Sequence, residues 1–188
     1  MSENGNYMQV VEAPPAIIWA PMVEGVVIPT YAEPGAAGMD IRAYMPAGTR
    51  VPCWSNTTNA ESTLMVDPEG VLTIVPQCRV IIPTGLRCVV RHDLELQIRP
   101  RSSYIKTTLR MVNNPGTVDS SYRGEIGLLV ENTSDHALVG IRHNDRVCQG
   151  ILSPVIKAPQ TYLPPGSDVA VLYPTNRGAG AFGSTGKQ

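Results

Sequence analysis

Apolar residues in this chain fall in short runs, separated by Gly, Pro, Asn and Asp. "GVVIP" (25–29), "VLTIV" (71–75), "RVIIP" (79–83), "LRCVV" (86–90) and "LELQI" (94–98) form a first series. "EIGLLVEN" (125–132), "VCQGIL" (147–152) and "VAVLY" (169–173) continue it. The runs are rich in β-branched residues, and "LELQIRP" alternates apolar and polar as a half-buried strand does. No helical pattern lasts ten residues. Only "SSYIKTTL" (102–109) fits a short helix, with Ser102 or Ser103 at its N-cap. The pattern predicts an all-β sandwich or barrel with at most one short helix. "PCWSNTTNAESTLMVDPEG" (52–70) breaks the rhythm and reads as an extended loop or inserted hairpin. Residues 1–14 read as a flexible arm and 15–173 as one β domain. A glycine-rich end follows at 174–188, introduced by "YLPPGSD" (162–168).

Composition narrows this picture. Apolar residues make up 43% of the chain and aromatic ones only 5%, so the core must be aliphatic. Gly and Pro number 17 each, which suits many short strands and turns. Fifteen basic and 16 acidic residues leave a net charge of -1, which argues against a general polyanion binder such as a DNA-coating protein. Twelve of the 15 basic residues are Arg, and none precedes Arg42. That bias suits bidentate recognition of carboxylate or phosphate. Cys53, Cys78, Cys88 and Cys148, with His92, His136 and His143, show no zinc-ligand spacing. The N-terminal "MSENGNYMQVV" is polar and leads to no long apolar stretch, so an intracellular location with reduced thiols is expected. No run approaches 18 apolar residues, and no membrane span is expected. Asn56 and Asn132 match the glycosylation acceptor pattern, which is short and common by chance.

Four stretches fit neither core nor ordinary turn. In "PGAAGMDIRA" (34–43), Asp40 follows a glycine-rich turn. "RPRSSYIK" (99–106) places two Arg and two Ser at a helix start, a phosphate-binding combination. "NNPGTVDSSYRGE" (113–125) puts Asp119 just past a tight turn, with Tyr122 close behind. Backbone groups of such a hairpin can read a base edge while the ring packs on a sugar. "RGAGAFGSTGKQ" (177–188) combines glycines with Ser and Thr, which lets backbone N–H groups approach phosphates, and holds the only Phe of the chain, Phe182. Taken singly, each has an ordinary reading: edge acid, capped helix with surface arginines, plain hairpin, disordered end. Together they suggest a nucleotide site.

In order and in most of their spacing, these stretches resemble the five motifs of the trimeric dUTP pyrophosphatase (dUTPase) family. "AGMDIRA", "PRSSY", "GTVDSSYRGE", "DRVCQGIL" and "RGAGAFGSTG" carry the resemblance, which runs from about Val27 to Gly186. It implies a jelly-roll-like β subunit and a homotrimer whose sites are shared between chains. It implies hydrolysis of dUTP to dUMP and pyrophosphate, assisted by Mg²⁺. Such an enzyme keeps uracil out of DNA and supplies dUMP for thymidylate synthesis. Asp119 matches the carboxylate that orients the attacking water, and Tyr122 the ring under the deoxyribose. Asn113 and the backbone of Gly116, Thr117 and Val118 match the uracil-reading hairpin. Arg101, Ser102, Ser103, Arg146 and Gln149 match the phosphate-binding motifs, and Asp40 the acid that holds magnesium through water. Arg177, Gly183, Ser184 and Thr185 match the terminal-phosphate motif, and Phe182 the ring stacked on uracil. The end, 174–188, then reads as a mobile lid.

Departures from the family pattern are Ser103 and Tyr104 in the second motif, Ser121 in the third, Asn144 before the fourth, and the longer 52–70 connection. None removes a residue with a proposed chemical role. The related dCTP deaminases need a carboxylate at the position of Leu129 and an arginine at that of Lys106, which sets deamination aside. A binding protein on the same fold would be expected to have lost Asp119, Tyr122 or the tail, and all are present.

Overall fold

In the computed structural model, residues 14–176 are described. The 1–14 arm lies outside them except for Pro14, as does the glycine-rich end from Arg177 onward. The strands are β1 Ile17–Pro21, β2 Met39–Arg42, β3 Arg50–Ser55, β4 Glu61–Met65, β5 Val71–Ile74, β6 Cys78–Pro83 and β7 Leu86–Val90. They continue as β8 Leu94–Pro100, β9 Leu109–Met111, β10 Gly116–Val118, β11 Gly127–Asn132, β12 Val139–Arg142 and β13 Arg146–Pro154. Two larger sheets have the orders β10-β8-β13-β2 and β4-β3-β6-β11-β9, and the pairs β1-β7 and β12-β5 complete the set. All pairings between these strands are antiparallel.

Period-two patterning explains the layering. Cys78, Val80 and Ile82 point inward from β6, and Leu128 and Val130 from β11. Leu96 and Ile98 do the same from β8, and Ile41 from β2. These residues join one aliphatic cluster that takes in both larger sheets, the all-β architecture expected. The four cysteines are free and buried. Burial pushes the Cys78 thiol up to about 11 and that of Cys148 up to about 12. Asn132 cannot be a glycosylation acceptor: it is fully buried, and its amide nitrogen donates to the carbonyls of Ile74 and Ala137.

Compact contacts divide the chain into Met1–Val155 and Ile156–Gln188. In the second unit, "VAVLY" is not a strand. Val169–Leu172 forms a one-turn helix, because the Asp168 carboxylate accepts from the backbone N–H groups of Ala170 and Val171. β-branched residues favour strands only where a partner edge exists, and none pairs with this run among the described residues. "GVVIP" is likewise no strand. Gly25 turns with φ 85°, and no strand forms over the segment, whose Val26 packs over Gly85. The 52–70 stretch resolves as a hairpin: β3 and β4 add two strands to the edge of β6.

Candidate active site

The phosphate-type residues converge first. β2 and β13 pair so that Gln149 lies opposite Asp40. Between Arg146 and Cys148 the register slips by a bulge. Strict alternation would send Arg146 inward together with Cys148. The bulge lets Val147 and Cys148 both face the core and turns Arg146 outward. Arg146 Nη1 donates to Asp40 Oδ2 at 3.1 Å, and Arg101 Nε donates to Asp40 Oδ1 at 2.9 Å. Arg101 also donates to the Arg146 carbonyl at 3.2 Å. Arg42 sits opposite Arg146 and donates to the Asn144 carbonyl at 2.7 Å. Three arginines thus surround one aspartate, an excess of positive charge that an anion would relieve.

Gln149 Nε2 donates to the Pro100 carbonyl at 3.0 Å. Its Oε1 lies 2.7 Å from where a Cβ on Gly38 would stand, so any larger residue there would have to displace the carboxamide. Ser102 and Ser103 are exposed on a 3-10 turn, Ser102–Lys106. Neither is its N-cap. Arg101 holds that position in extended conformation, without a side-chain cap, because its guanidinium is drawn to Asp40. Tyr104, where the family often has leucine, turns its hydroxyl into the protein against Cys148, and burial pushes its ionisation up. Clefts of about 290 and 190 Å³ flank the cluster and share Arg146.

The base-and-sugar residues assemble elsewhere. β10 pairs with the edge of β8, and the turn before it holds a cis Asn114–Pro115 bond. Gly116 leaves room for the Asn113 amide, which a Cβ would meet at 3.0 Å. Val118 points into the core, and Asp119 follows, exposed. A turn returns the Tyr122 N–H to the Asp119 carbonyl at 3.0 Å. The Tyr122 hydroxyl donates to the Glu125 carbonyl at 2.8 Å, and its ring lies over Gly124, where a Cβ would meet the ring at 2.7 Å. Glu125 in turn accepts from the N–H groups of Thr84 and Gly85, fixing this turn to the one between β6 and β7. Asn113, Thr117, Val118, Asp119 and Tyr122 line a cleft of about 170 Å³. Among the described residues, its walls hold two carboxylates, Asp119 and Glu125, and no cation.

The two groups do not meet within one chain. They share no lining residue. β10 and β2 stand at opposite edges of one sheet, three strand spacings or about 14 Å apart. Arg177, Phe182, Gly183, Ser184 and Thr185 lie outside the described residues. Sequence reasoning missed Gly38, Gly124, Glu125 and Arg42. The glycines beside Asp40 and after Tyr122-Arg123 were the available signal. Among the described residues, no group of three or more His, Cys, Asp or Glu could cage a metal.

The dUTPase family model matches residues 68–186. A deoxyuridine 5'-triphosphate nucleotidohydrolase of Dinoroseobacter shibae is 41% identical over 87% of this chain and 90% of its own length. Its counterpart in Caulobacter vibrioides is 36% identical over 85% of each chain. Among solved structures, the dUTPase of Staphylococcus bacteriophage 80alpha with dUPNHPP superposes with a TM-score of 0.65 at 16% identity, covering 91% of this chain and 98% of that one. A mutant dUTPase of phage phi11 of S. aureus, described with a structural Mg(II) ion, gives 0.59 at 16% identity over 78% of this chain and 95% of that one.

Proposed function

Because this chain belongs to the dUTPase family, we propose that it hydrolyses dUTP to dUMP and pyrophosphate by attack of water on the α-phosphorus. The observation that carries the reading is the split site. One cleft offers a carboxylate, a sugar-sized ring and a base-sized turn without any cation, and a separate cluster offers arginines without a base pocket. A triphosphate bound at the first needs the second. Asp119 acts as general base toward the attacking water. Tyr122, held flat by Gly124 and the Glu125 carbonyl, excludes a 2′-hydroxyl. Asn113 and the backbone from Gly116 to Val118 read uracil. Arg101, Ser102, Ser103, Arg146 and Gln149 hold the phosphates, so catalysis rests on positioning and charge neutralisation.

Asp40 fits a water-mediated role toward Mg²⁺. Each of its oxygens accepts one guanidinium N–H, and a carboxylate has roughly four lone-pair sites, so acceptor capacity for ordered water remains. A lone carboxylate suits a cation carried mainly by substrate phosphates. When bound, the ion supplies charge neutralisation to those phosphates. The chains associate as a homotrimer, each site drawing on three of them, with Arg177, Phe182, Gly183, Ser184 and Thr185 closing over the nucleotide. The enzyme works inside the cell, in cytoplasm or nucleus, a reading supported by its free, buried thiols, and it acts on free nucleotide. No helix among the described residues is long and apolar enough to cross a membrane. By removing dUTP the enzyme keeps uracil out of DNA and yields dUMP for thymidylate synthesis. Deamination is disfavoured because Leu129 lines the cleft where a proton-shuttling carboxylate is required.

The test is pyrophosphate release from dUTP, UTP, dCTP and dTTP under identical conditions. Turnover of dUTP with at least a hundredfold preference is expected, since a site shaped for one hydrogen-bonding edge rejects mismatched partners by about that much or more. Comparable rates on UTP, or ammonia release from dCTP, overturn the reading.

A further inference from the structure

We propose that the inserted β3–β4 hairpin forms part of the surface on which a second copy of this chain seats, helping to bring that copy's arginines to the Asp119 cleft. The proposal rests on the shared-site reading above. The two strands of the hairpin, β3 and β4, lie before residue 68, where the family-model match begins.

The outer face of the five-stranded sheet is where the hairpin acts. Pro52 stands opposite Thr63, and Ile81 opposite Leu129. Pro52 is one place on from Cys53, which pairs with Val80, so Pro52 and Ile81 are neighbours. The Val112 N–H donates to the Leu129 carbonyl and extends the row. An apolar strip therefore crosses the sheet from the hairpin to Val112, and Val112 and Met65 are 44% and 59% exposed. A groove of about 280 Å³ opens along it, walled by Trp54, Asn59, Arg79, Ile81, Val112 and Leu129.

This strip does not end at the groove. Leu129 is shared with the cleft that holds Asp119 and Tyr122. A further cleft, lined by Arg50, Pro52, Ile81, Pro83, Glu125 and Gly127, shares residues with both. A copy that delivers Arg101, Arg146 and Gln149 to the Asp119 cleft comes to lie next to Leu129, where the strip begins. The incomplete half-site thus names the occupant.

The edge of the strip is prepared for burial. Arg110 Nε donates to Glu131 at 2.5 Å, and Asn56 of the hairpin turn donates to the other Glu131 oxygen. Arg79 donates to Asn59 Oδ1 at 2.6 Å. The same bonds clip the hairpin tip to β6 and β11, and the Glu131 carboxylate is paired with Arg110 within the chain. An apolar centre with a polar rim is how protein interfaces are built.

The experiment compares sedimentation of the full chain over a dilution series for wild type, Thr63→Arg/Met65→Arg and the turn control Thr58→Arg. Thr63 and Met65 are exposed on β4, which pairs only with β3, so the subunit fold should survive; near-UV circular dichroism checks this. The double variant should dissociate at a protein concentration at least tenfold higher, with dUTP hydrolysis falling in parallel, while the control matches wild type. In a Trp19→Phe background, Trp54 is the only tryptophan, and its emission should shift to longer wavelength on dissociation. A double variant that dissociates like wild type, or Trp54 emission independent of association, overturns the hairpin proposal alone. A wild type active as a single chain overturns the shared-site reading as well.

Discussion

Asp119 owes its availability to the residue before it. Val118 is anchored in the core and pairs with Leu96, so the chain leaves the sheet with the next side chain in the cleft. No cation lines that cleft. Asp119→Asn keeps the shape and removes the proton acceptor. Turnover should fall by about 10²–10⁴, the usual contribution of a general base, while dUTP binding measured by calorimetry stays within a few-fold of wild type. A variant with near-normal turnover excludes the base role. At this scale the sequence was most legible for residues with distinctive chemistry. Asp119, Tyr122 and Arg101 stand out only in combination, since each stretch alone has an ordinary reading, and Gln149 came from the family resemblance. Gly38 and Gly124 were not legible, since their role lies in which ring or amide rests on them. That is a contact between segments far apart in the chain for Gly38, and a local packing choice for Gly124.

Elements place these residues through departures from regularity more than through the strands themselves. The bulge in β13 turns Arg146 toward Asp40, and the Gly38 approach lets Gln149 lie across the start of β2. Gly38→Ala should push the carboxamide aside without cutting any ladder bond. Losing one hydrogen bond to a charged phosphate amounts to about 1.5–3 kcal/mol, so KM for dUTP should rise roughly ten- to hundredfold. The melting temperature should change little. Steady-state kinetics beside a thermal melt decides it, and a large drop in stability with normal KM would make Gly38 a structural residue only. Short β-branched runs in "RVIIP" and "LRCVV", and the alternation in "LELQI", were enough to find β6, β7 and β8. The same logic misplaced "VAVLY" and "GVVIP", because β-branched residues mark a capacity to pair, while pairing needs an edge that local sequence does not display. The bulge was invisible too: adjacent apolar residues at Val147 and Cys148 look like any core pair until the register is known.

The whole molecule poses a question that no single chain answers, since one cleft carries the carboxylate and another the arginines, at opposite edges of a sheet. A chain that closed on itself would need to fold that sheet in half. Closure between copies needs only a rotation axis, and cyclic symmetry then makes every site alike. Two inactive variants test this directly. Asp119→Asn removes the base from its own cleft, and Arg101→Ala removes a phosphate ligand from the cluster around Asp40. Each alone should be nearly inactive. Unfolded together in equal amounts and refolded, they would assort at random into the proposed trimers. A site that takes Asp119 from an Arg101→Ala chain and Arg101 from an Asp119→Asn chain is whole. Random assortment makes roughly a quarter of all sites whole in this sense. Recovered dUTP hydrolysis near that fraction of refolded wild type is the expected result. If both groups of a site came from the same chain, every site would lack one of them, and mixing would restore nothing.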